Sequence, residues 1–153
     1  MTTTMPPPVL VDLPARRIAG IAIRTSFATV AHDAGAIWQR AFAEGIPAAA
    51  AGRPLAAVYA EYDTDFRGAY TMLVGAEVDA GNAAPPSYRE IALPAGCYAR
   101  FAADGDPAVA VAGVWQYINS AWPDRGRRAY GVDLELYGVR GPGTADIYVG
   151  VRS

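Results

Sequence analysis

One predicted strand places acidic and aromatic side chains on the same side. Residues 131–137 alternate between apolar and polar types, so Asp133, Glu135 and Tyr137 point in one direction. A carboxylate among aromatic rings, away from bulk water, attracts a lipophilic cation through its charge and through the ring quadrupoles. Burial would also raise its pKa and suit it to general acid or base catalysis. The pattern therefore indicates a cation site or an acid–base group, unless the polar side simply faces water.

A second predicted strand repeats this chemistry in the first half of the chain. Residues 55–62 form the strand, and Tyr59 and Glu61 lie on its polar side. If the halves pack about a pseudo-dyad, Glu61 and Glu135 face one cleft. Two carboxylates in a dry cleft could divide acid and base roles if their environments separate their pKa values.

Other chemistry is scarce in this composition. The chain has a single histidine and a single cysteine, Cys97. We therefore expect no metal site and no internal disulfide, and we predict no bound cofactor. Trp38 and Trp115 lie on the apolar stripes of two predicted helices, which favours core packing first and a cleft wall second.

The elements that position these residues occur in the same order twice. Strands are predicted within 9–24, with a break at Pro14, then at 55–62 and 68–78, and again at 88–93, 97–102, 129–137 and 145–151. One helix is predicted from Ser26 as N-cap to Gly45, with Phe27 and Phe42 on its apolar stripe, and a second begins at Asp106-Pro107. This predicts an α+β fold of two β-α-β-β halves in a mainly antiparallel sheet, with two principal helices and a cleft between the halves.

Length and sequence matches set the domain organisation. The 153 residues suffice for one domain with a full core. We expect a disordered tail at 1–8 and one domain at 9–153, made of pseudo-repeats at about 9–78 and 88–151 that are joined near 79–87. Leu13-Pro14-Ala15 matches Leu93-Pro94-Ala95, and three further short matches follow in the same order.

Charge and hydropathy exclude several classes of protein. All 13 basic residues are arginine, and the net charge is −2. The only basic cluster, Arg125, Arg127 and Arg128, is expected to form a solvated turn, so no direct DNA binding is predicted. No segment is long and apolar enough to predict a membrane span, and the first residues do not match a secretory signal, so a cytoplasmic location is expected.

The order of motifs resembles the GyrI-like small-molecule-binding domains, which are related to the effector-binding domains of AraC-type and multidrug-sensing transcription regulators. The likeness covers roughly residues 9–151. The motifs that match are Ile37-Trp38, Tyr59-Ala60-Glu61-Tyr62, Met72–Gly75, Leu93–Ala99, Val114-Trp115 and Asp133–Tyr137.

The resemblance implies a cleft between the halves that binds hydrophobic, often cationic, small molecules. It implies that a glutamate on the penultimate strand is the electrostatic anchor, and Glu135 matches that position. The companions proposed around it are Glu61, Tyr59, Tyr137, Tyr148, Trp115 and Trp38.

Two other functions stay open. Some stand-alone relatives look like hydrolases of electrophilic small molecules, in which case Glu135, Glu61 and Tyr137 would be catalytic. Others look like gyrase-inhibitor-like or toxin-protective interaction proteins. A homodimer is an open alternative to a monomer.

Overall fold

The computed structural model describes residues 7–46, 52–79 and 87–152. These residues form eight strands and two α-helices, which we number in chain order. The elements are β1 (Val9–Leu13), β2 (Arg16–Ser26), α1 (Val30–Ala43), β3 (Ala56–Ala60), β4 (Ala69–Val78), β5 (Arg89–Leu93), β6 (Gly96–Asp104), α2 (Pro107–Ser120), β7 (Val132–Tyr137) and β8 (Thr144–Gly150).

The predicted α+β class and antiparallel sheet are confirmed. All eight strands belong to one sheet in the order β1-β6-β8-β7-β3-β4-β2-β5, and every pairing is antiparallel. The central pair, β3 and β7, joins two groups of four strands, and each half contributes one edge strand, β1 or β5, to the group of the other half. Most of the predicted tail at 1–8 and of the joining segment at 79–87 lies outside the described residues.

Two short connections force this sheet to curl. Only Pro14 and Ala15 separate β1 from β2, so the ends of these strands lie at most about 11 Å apart. In a flat sheet, strands six positions apart would be separated by about 29 Å. Pro94 and Ala95 impose the same restraint on β5 and β6. The two outer edges of the sheet must therefore approach each other, which gives a half-barrel.

The two faces of the curled sheet bury different cores. On one face, α2 packs against β6 and β8, and α1 packs against β2 and β4. The other face has no described helix, yet Val58, Leu73 and Leu134 are fully buried on it. These residues are buried because they point into the half-barrel, so the polar alternate positions of β3 and β7 point toward the helices.

Two glycines permit the close approach of β2 and β4. Gly20 and Gly75 are opposite each other in the register. A Cβ atom on Gly20 would lie 2.0 Å from the Val74 carbonyl oxygen, and one on Gly75 would lie 1.8 Å from that of Ala19. No other residue type fits at either position without moving the backbone.

The first helix is shorter than predicted. It begins at Val30 with Thr29 as the N-cap residue, whereas Ser26 is the last residue of β2. Phe27 and Phe42 are 53% and 60% exposed, so the prediction that they belong to a buried stripe is wrong. Ile37 and Ala41 form the buried contact of α1 instead, because alanine lets the helix lie close to the sheet.

The described residues bear on two further expectations. None of their helices is long and apolar enough to cross a membrane. Within the same ranges, no group of three or more His, Cys, Asp or Glu side chains is arranged to hold a metal ion.

Candidate functional site

Glu135 lies at the centre of the sheet, on the face that the helices cover. It is opposite Ala57 in the β3–β7 pair, and the small alanine side chain leaves room above the sheet. The glutamate is only 1% exposed. The predicted alternation of this strand is confirmed, but the alternative that its polar side faces water is wrong.

Three hydrogen-bond donors from three elements meet the Glu135 carboxylate. The Tyr59 hydroxyl donates to Oε2 at 2.7 Å, and the Trp115 indole Nε1–H donates to the same oxygen at 2.6 Å. The Tyr137 hydroxyl donates to Oε1. The structure therefore brings together four of the predicted site residues in direct contact.

The pKa values of these groups follow from their burial. Desolvation raises the pKa of Glu135 above its ordinary value, and the donated hydrogen bonds from Tyr137, Tyr59 and Trp115 oppose that rise without cancelling it. Burial and the nearby carboxylate also raise the phenol pKa values of Tyr59 and Tyr137. The phenols consequently keep their protons and act as donors.

Aromatic rings line the space around this carboxylate. Trp115 and Tyr59 meet edge to face with centroids 5.4 Å apart, and Trp38 from α1 meets Tyr137 in the same way at 5.1 Å. Tyr70 extends this wall from Tyr59, and its pKa is raised to about 12, chiefly by burial. Both helices thus contribute a tryptophan, each packed against a hydrophobic core as their first predicted role required, and their role as a cleft wall stays a prediction.

A second buried carboxylate lies two residues before Glu135 on the same face. Asp133 is fully buried, and its Oδ2 accepts from the Arg128 guanidinium at 3.0 Å and from the Tyr62 hydroxyl at 2.6 Å. Its Oδ1 accepts from the Gly150 backbone N–H at 3.0 Å. These hydrogen bonds engage both carboxylate oxygens of Asp133 beside the Glu135 site.

Arg128 corrects the prediction of a solvated arginine turn. Its guanidinium is buried and also donates to the Asn119 side chain at 2.7 Å. It lies over two aromatic rings, 4.4 Å from the centroid of Tyr130 and 5.6 Å from that of Trp115. Sequence reasoning missed it because three arginines close together in a polar loop usually face solvent. The alternation that grouped Glu135 with Tyr137 also placed Asp133 on the same side of the strand.

Glu61 does not join this site. It follows β3 with a positive φ of 56°, and its half-exposed side chain pairs with Arg89 and accepts from Thr71 Oγ1 at 2.7 Å. These contacts lower its pKa. Thr71 precedes the helix-facing Met72, so the Glu61 carboxylate turns toward the opposite face of the sheet.

The strand registers explain why the second predicted carboxylate is absent. β3 is paired with β7 from Ala56 to Ala60, so Glu61 lies one residue beyond the paired segment, whereas Glu135 lies within it. Tyr59, near the end of β3, reaches Glu135 instead. The expected pair of glutamates is replaced by one glutamate and a tyrosine that donates to it.

Tyr148 also lies away from the site. It belongs to the cluster inside the half-barrel, whereas its neighbours Ile147 and Val149 face α2. Because strand side chains alternate, Tyr148 cannot reach the helix face that holds Glu135.

Two open depressions of similar size border the sheet. One, of about 420 Å³, is lined by Leu55, Tyr137 and Gly138 among others, so the Tyr137 ring separates it from Glu135. The other, of about 400 Å³, lies beside β2 and is lined by Arg24, Glu61 and other polar residues. Of the two, the first is the one lined by a residue that donates to Glu135, namely Tyr137.

Comparison with known proteins assigns the fold and the family. A model of the family described as "Integron-associated effector binding protein" matches residues 9–151. A Bacillus subtilis (strain 168) protein named "Putative transcriptional regulator protein YobU" is 28% identical over 155 residues, covering 94% of this chain and 96% of that protein. An integron cassette protein from the mobile metagenome of Vibrio cholerae shares the fold with a TM-score of 0.75, 20% identity and 97% coverage of both chains. SAV2435, solved bound to tetraphenylphosphonium, shares it with a TM-score of 0.77, 18% identity, and coverage of 95% of this chain and 94% of that one.

Proposed function

We propose that this chain, which belongs to the family of integron-associated effector binding proteins, binds a lipophilic small-molecule cation with Glu135 as the anchor. Tyr59, Tyr137, Trp115 and Trp38 would form the walls of the site. Glu61 and Tyr148 would take no part, because they lie on the other face.

The proposal rests on one observation: Glu135 is a buried carboxylate without a cation. Asp133, two residues away, has Arg128 at 3.0 Å, and two aromatic rings cover that guanidinium. Glu135 is also surrounded by aromatic residues, of which Trp115 is common to both sites, but no arginine or other cation contacts it within the described residues. An aromatic cage that holds a cation beside one carboxylate would serve equally for a ligand cation beside the other.

Electrostatics favours a cation of low hydration at this position. At 4 Å, two opposite unit charges attract by about 4 kcal/mol at an effective dielectric constant of 20, and by about 1 kcal/mol in water. A strongly hydrated ammonium ion would lose much of this gain through desolvation. A cation whose charge is buried among aromatic groups has already lost most of its hydration, so it keeps more of the gain.

A protein of the same fold supports a lipophilic cation as the ligand. SAV2435 has the same fold and has been solved with tetraphenylphosphonium, a lipophilic cation. At 18% identity the likeness concerns the fold alone, so the choice of ligand for this chain rests on its own buried carboxylate and rings.

Ligand entry would require Tyr137 to move. Its ring lies between Glu135 and the depression of about 420 Å³, and it is the last residue of β7, followed by Gly138 with a φ of 80°. Rotation of the Tyr137 side chain would break one of the three hydrogen bonds to Glu135 and open the carboxylate to that depression. A ligand cation would then replace the lost donor.

The hydrolase alternative is less well supported. A hydrolase of this kind would use a glutamate as base or nucleophile, but both carboxylate oxygens of Glu135 already accept hydrogen bonds. The second carboxylate that would share the work, Glu61, lies elsewhere. Binding without turnover is the function that the geometry favours.

Calorimetric titration with two ligands of equal shape and opposite charge tests the proposal. We expect tetraphenylphosphonium to bind the wild-type protein and tetraphenylborate to fail. Glu135→Gln should weaken phosphonium binding by about 10- to 100-fold, the effect of losing roughly 1.4 to 2.7 kcal/mol. Glu61→Gln is the matched control and should bind as the wild type does.

Equal binding of the two ligands, or equal phosphonium affinity in the wild type and in Glu135→Gln, would refute the proposal. Turnover of a reactive ester that disappears in Glu135→Gln would favour the hydrolase instead.

A further inference from the structure

We infer that the buried Asp133–Arg128 pair sets the charge of the ligand, and that the site selects compact monocations against compact dications. This inference rests on the proposed function, since it concerns the same cleft. It assigns to Arg128 and Asp133 a role in specificity beyond packing.

Among the residues that the structure describes, three charged side chains are buried on the helix-covered face around the site. Glu135 is 1% exposed, Asp133 is 0% and Arg128 is 4%. The ion pair at 3.0 Å neutralises Asp133 internally. One negative charge, that of ionised Glu135, is left for a ligand to balance.

The resident guanidinium is also close to the place that a ligand would occupy. Arg128 lies 5.6 Å from the centroid of Trp115, and the indole Nε1 of that ring donates to Glu135 at 2.6 Å. The same indole therefore separates the internal cation from the proposed ligand site. A second positive charge on a compact ligand would have no buried counter-charge and would be repelled by Arg128.

Arg128 further positions Trp115. The guanidinium is held from two sides, by Asp133 and by the Asn119 side-chain oxygen at 2.7 Å, and it stacks over the indole from that fixed location. Asn119 and Trp115 are both on α2, so the arginine ties the orientation of this helix to β7. The indole N–H is thereby directed at Glu135.

A pair of nearly isosteric ligands tests the inference on the wild-type protein. The probes are 1-methyl-4-phenylpyridinium, a flat aromatic monocation, and 1,1′-dimethyl-4,4′-bipyridinium, a dication of closely similar shape. We expect the monocation to bind at least about tenfold more tightly. Equal or tighter binding of the dication, or no binding of the monocation, would overturn the inference.

Variants that change the charge of the Asp133–Arg128 pair test whether the pair sets ligand preference. A purely structural role would not make the affinity follow the buried charge. Asp133→Asn leaves the site neutral overall and should weaken tetraphenylphosphonium binding by at least about tenfold. Arg128→Met leaves two negative charges and should reverse the preference between the two probes. The double variant Arg128→Met/Asp133→Asn restores the wild-type charge and should recover phosphonium affinity to within about threefold.

The outcomes separate this inference from the proposed function. If tetraphenylphosphonium fails to bind the wild type, or binds Glu135→Gln with the same affinity as the wild type, the proposed function itself is wrong. If its binding depends on Glu135 but a folded Asp133→Asn variant binds it as the wild type does, only the inference is wrong. Where a single variant does not fold, as judged by near-ultraviolet circular dichroism, the wild-type probe pair decides.

Discussion

Removal of the indole donor from Glu135 should shift the pH at which cation binding is lost. The carboxylate must be ionised to attract a cation, so affinity should fall as the pH drops through the pKa of Glu135. Burial raises that pKa, and the hydrogen bond from Trp115 is one of three that oppose the rise. The Trp115→Phe variant keeps an aromatic ring but loses the donor at 2.6 Å. The midpoint of affinity against pH should therefore move upward.

The size of this shift follows from the energy of one hydrogen bond to a charged group. Such a bond is worth about 1.5 to 3 kcal/mol, and a tenfold change in an ionisation equilibrium corresponds to about 1.4 kcal/mol. We expect the midpoint to rise by roughly one to two pH units, with rearrangement of Tyr59 reducing the change toward the lower figure.

Calorimetric titration of tetraphenylphosphonium across a range of pH measures the midpoint directly. Trp122→Phe is the matched control, because Trp122 is buried against Phe101 in the same core and has no described contact with Glu135. The control should lower the melting temperature without moving the midpoint. An unchanged midpoint in Trp115→Phe, or an equal shift in the control, would refute the reasoning.

Three further predictions concern the protein without ligand. Because burial raises the folded-state pKa of Glu135 above its ordinary value, ionisation favours unfolding. The wild type should therefore lose stability as the pH rises from the unfolded pKa through the folded one. Glu135→Gln should lack that loss, and parallel pH profiles of the urea midpoints of the two proteins would contradict this. Gly75→Ala should prevent stable folding, because its Cβ would lie 1.8 Å from the Ala19 carbonyl oxygen; a native circular dichroism spectrum would contradict this. Gly113 is in α2, and a Cβ added there would meet nothing within 4 Å. Gly113→Ala should therefore raise the free energy of unfolding, measured by urea denaturation, by about 0.5 to 1 kcal/mol. A lower urea midpoint would contradict this.

Local patterns predicted most of the elements. Pro14, between two apolar runs, marked the break between β1 and β2, and Gly45 marked the end of α1 with a φ of 79°. The strict alternation of 131–137 grouped Glu135 with Asp133 and Tyr137 on one side of the strand, but it did not indicate that this side faces the helices. These signals are local, so one sequence is sufficient to detect them.

The arrangement of the site depends on contacts that local patterns do not contain. Nothing near Arg128 in the sequence indicates that its guanidinium lies over the Trp115 ring, since that contact depends on how the 3₁₀ turn at Arg125–Arg127 packs against α2. The register of β3 against β7 places Ala57 opposite Glu135 and ends at Ala60, so Tyr59 stays in the sheet and Glu61 does not. Register is a property of paired strands, and a one-residue difference exchanges the two faces.

A crystal structure of the protein with tetraphenylphosphonium is the most direct test of the central claim. We expect the phosphorus atom within about 6 Å of the Glu135 carboxylate, among the rings of Tyr59, Trp115 and a rotated Tyr137. A phosphonium ion in the depression beside Arg24 and Glu61, with the three hydrogen bonds to Glu135 intact, would contradict the account.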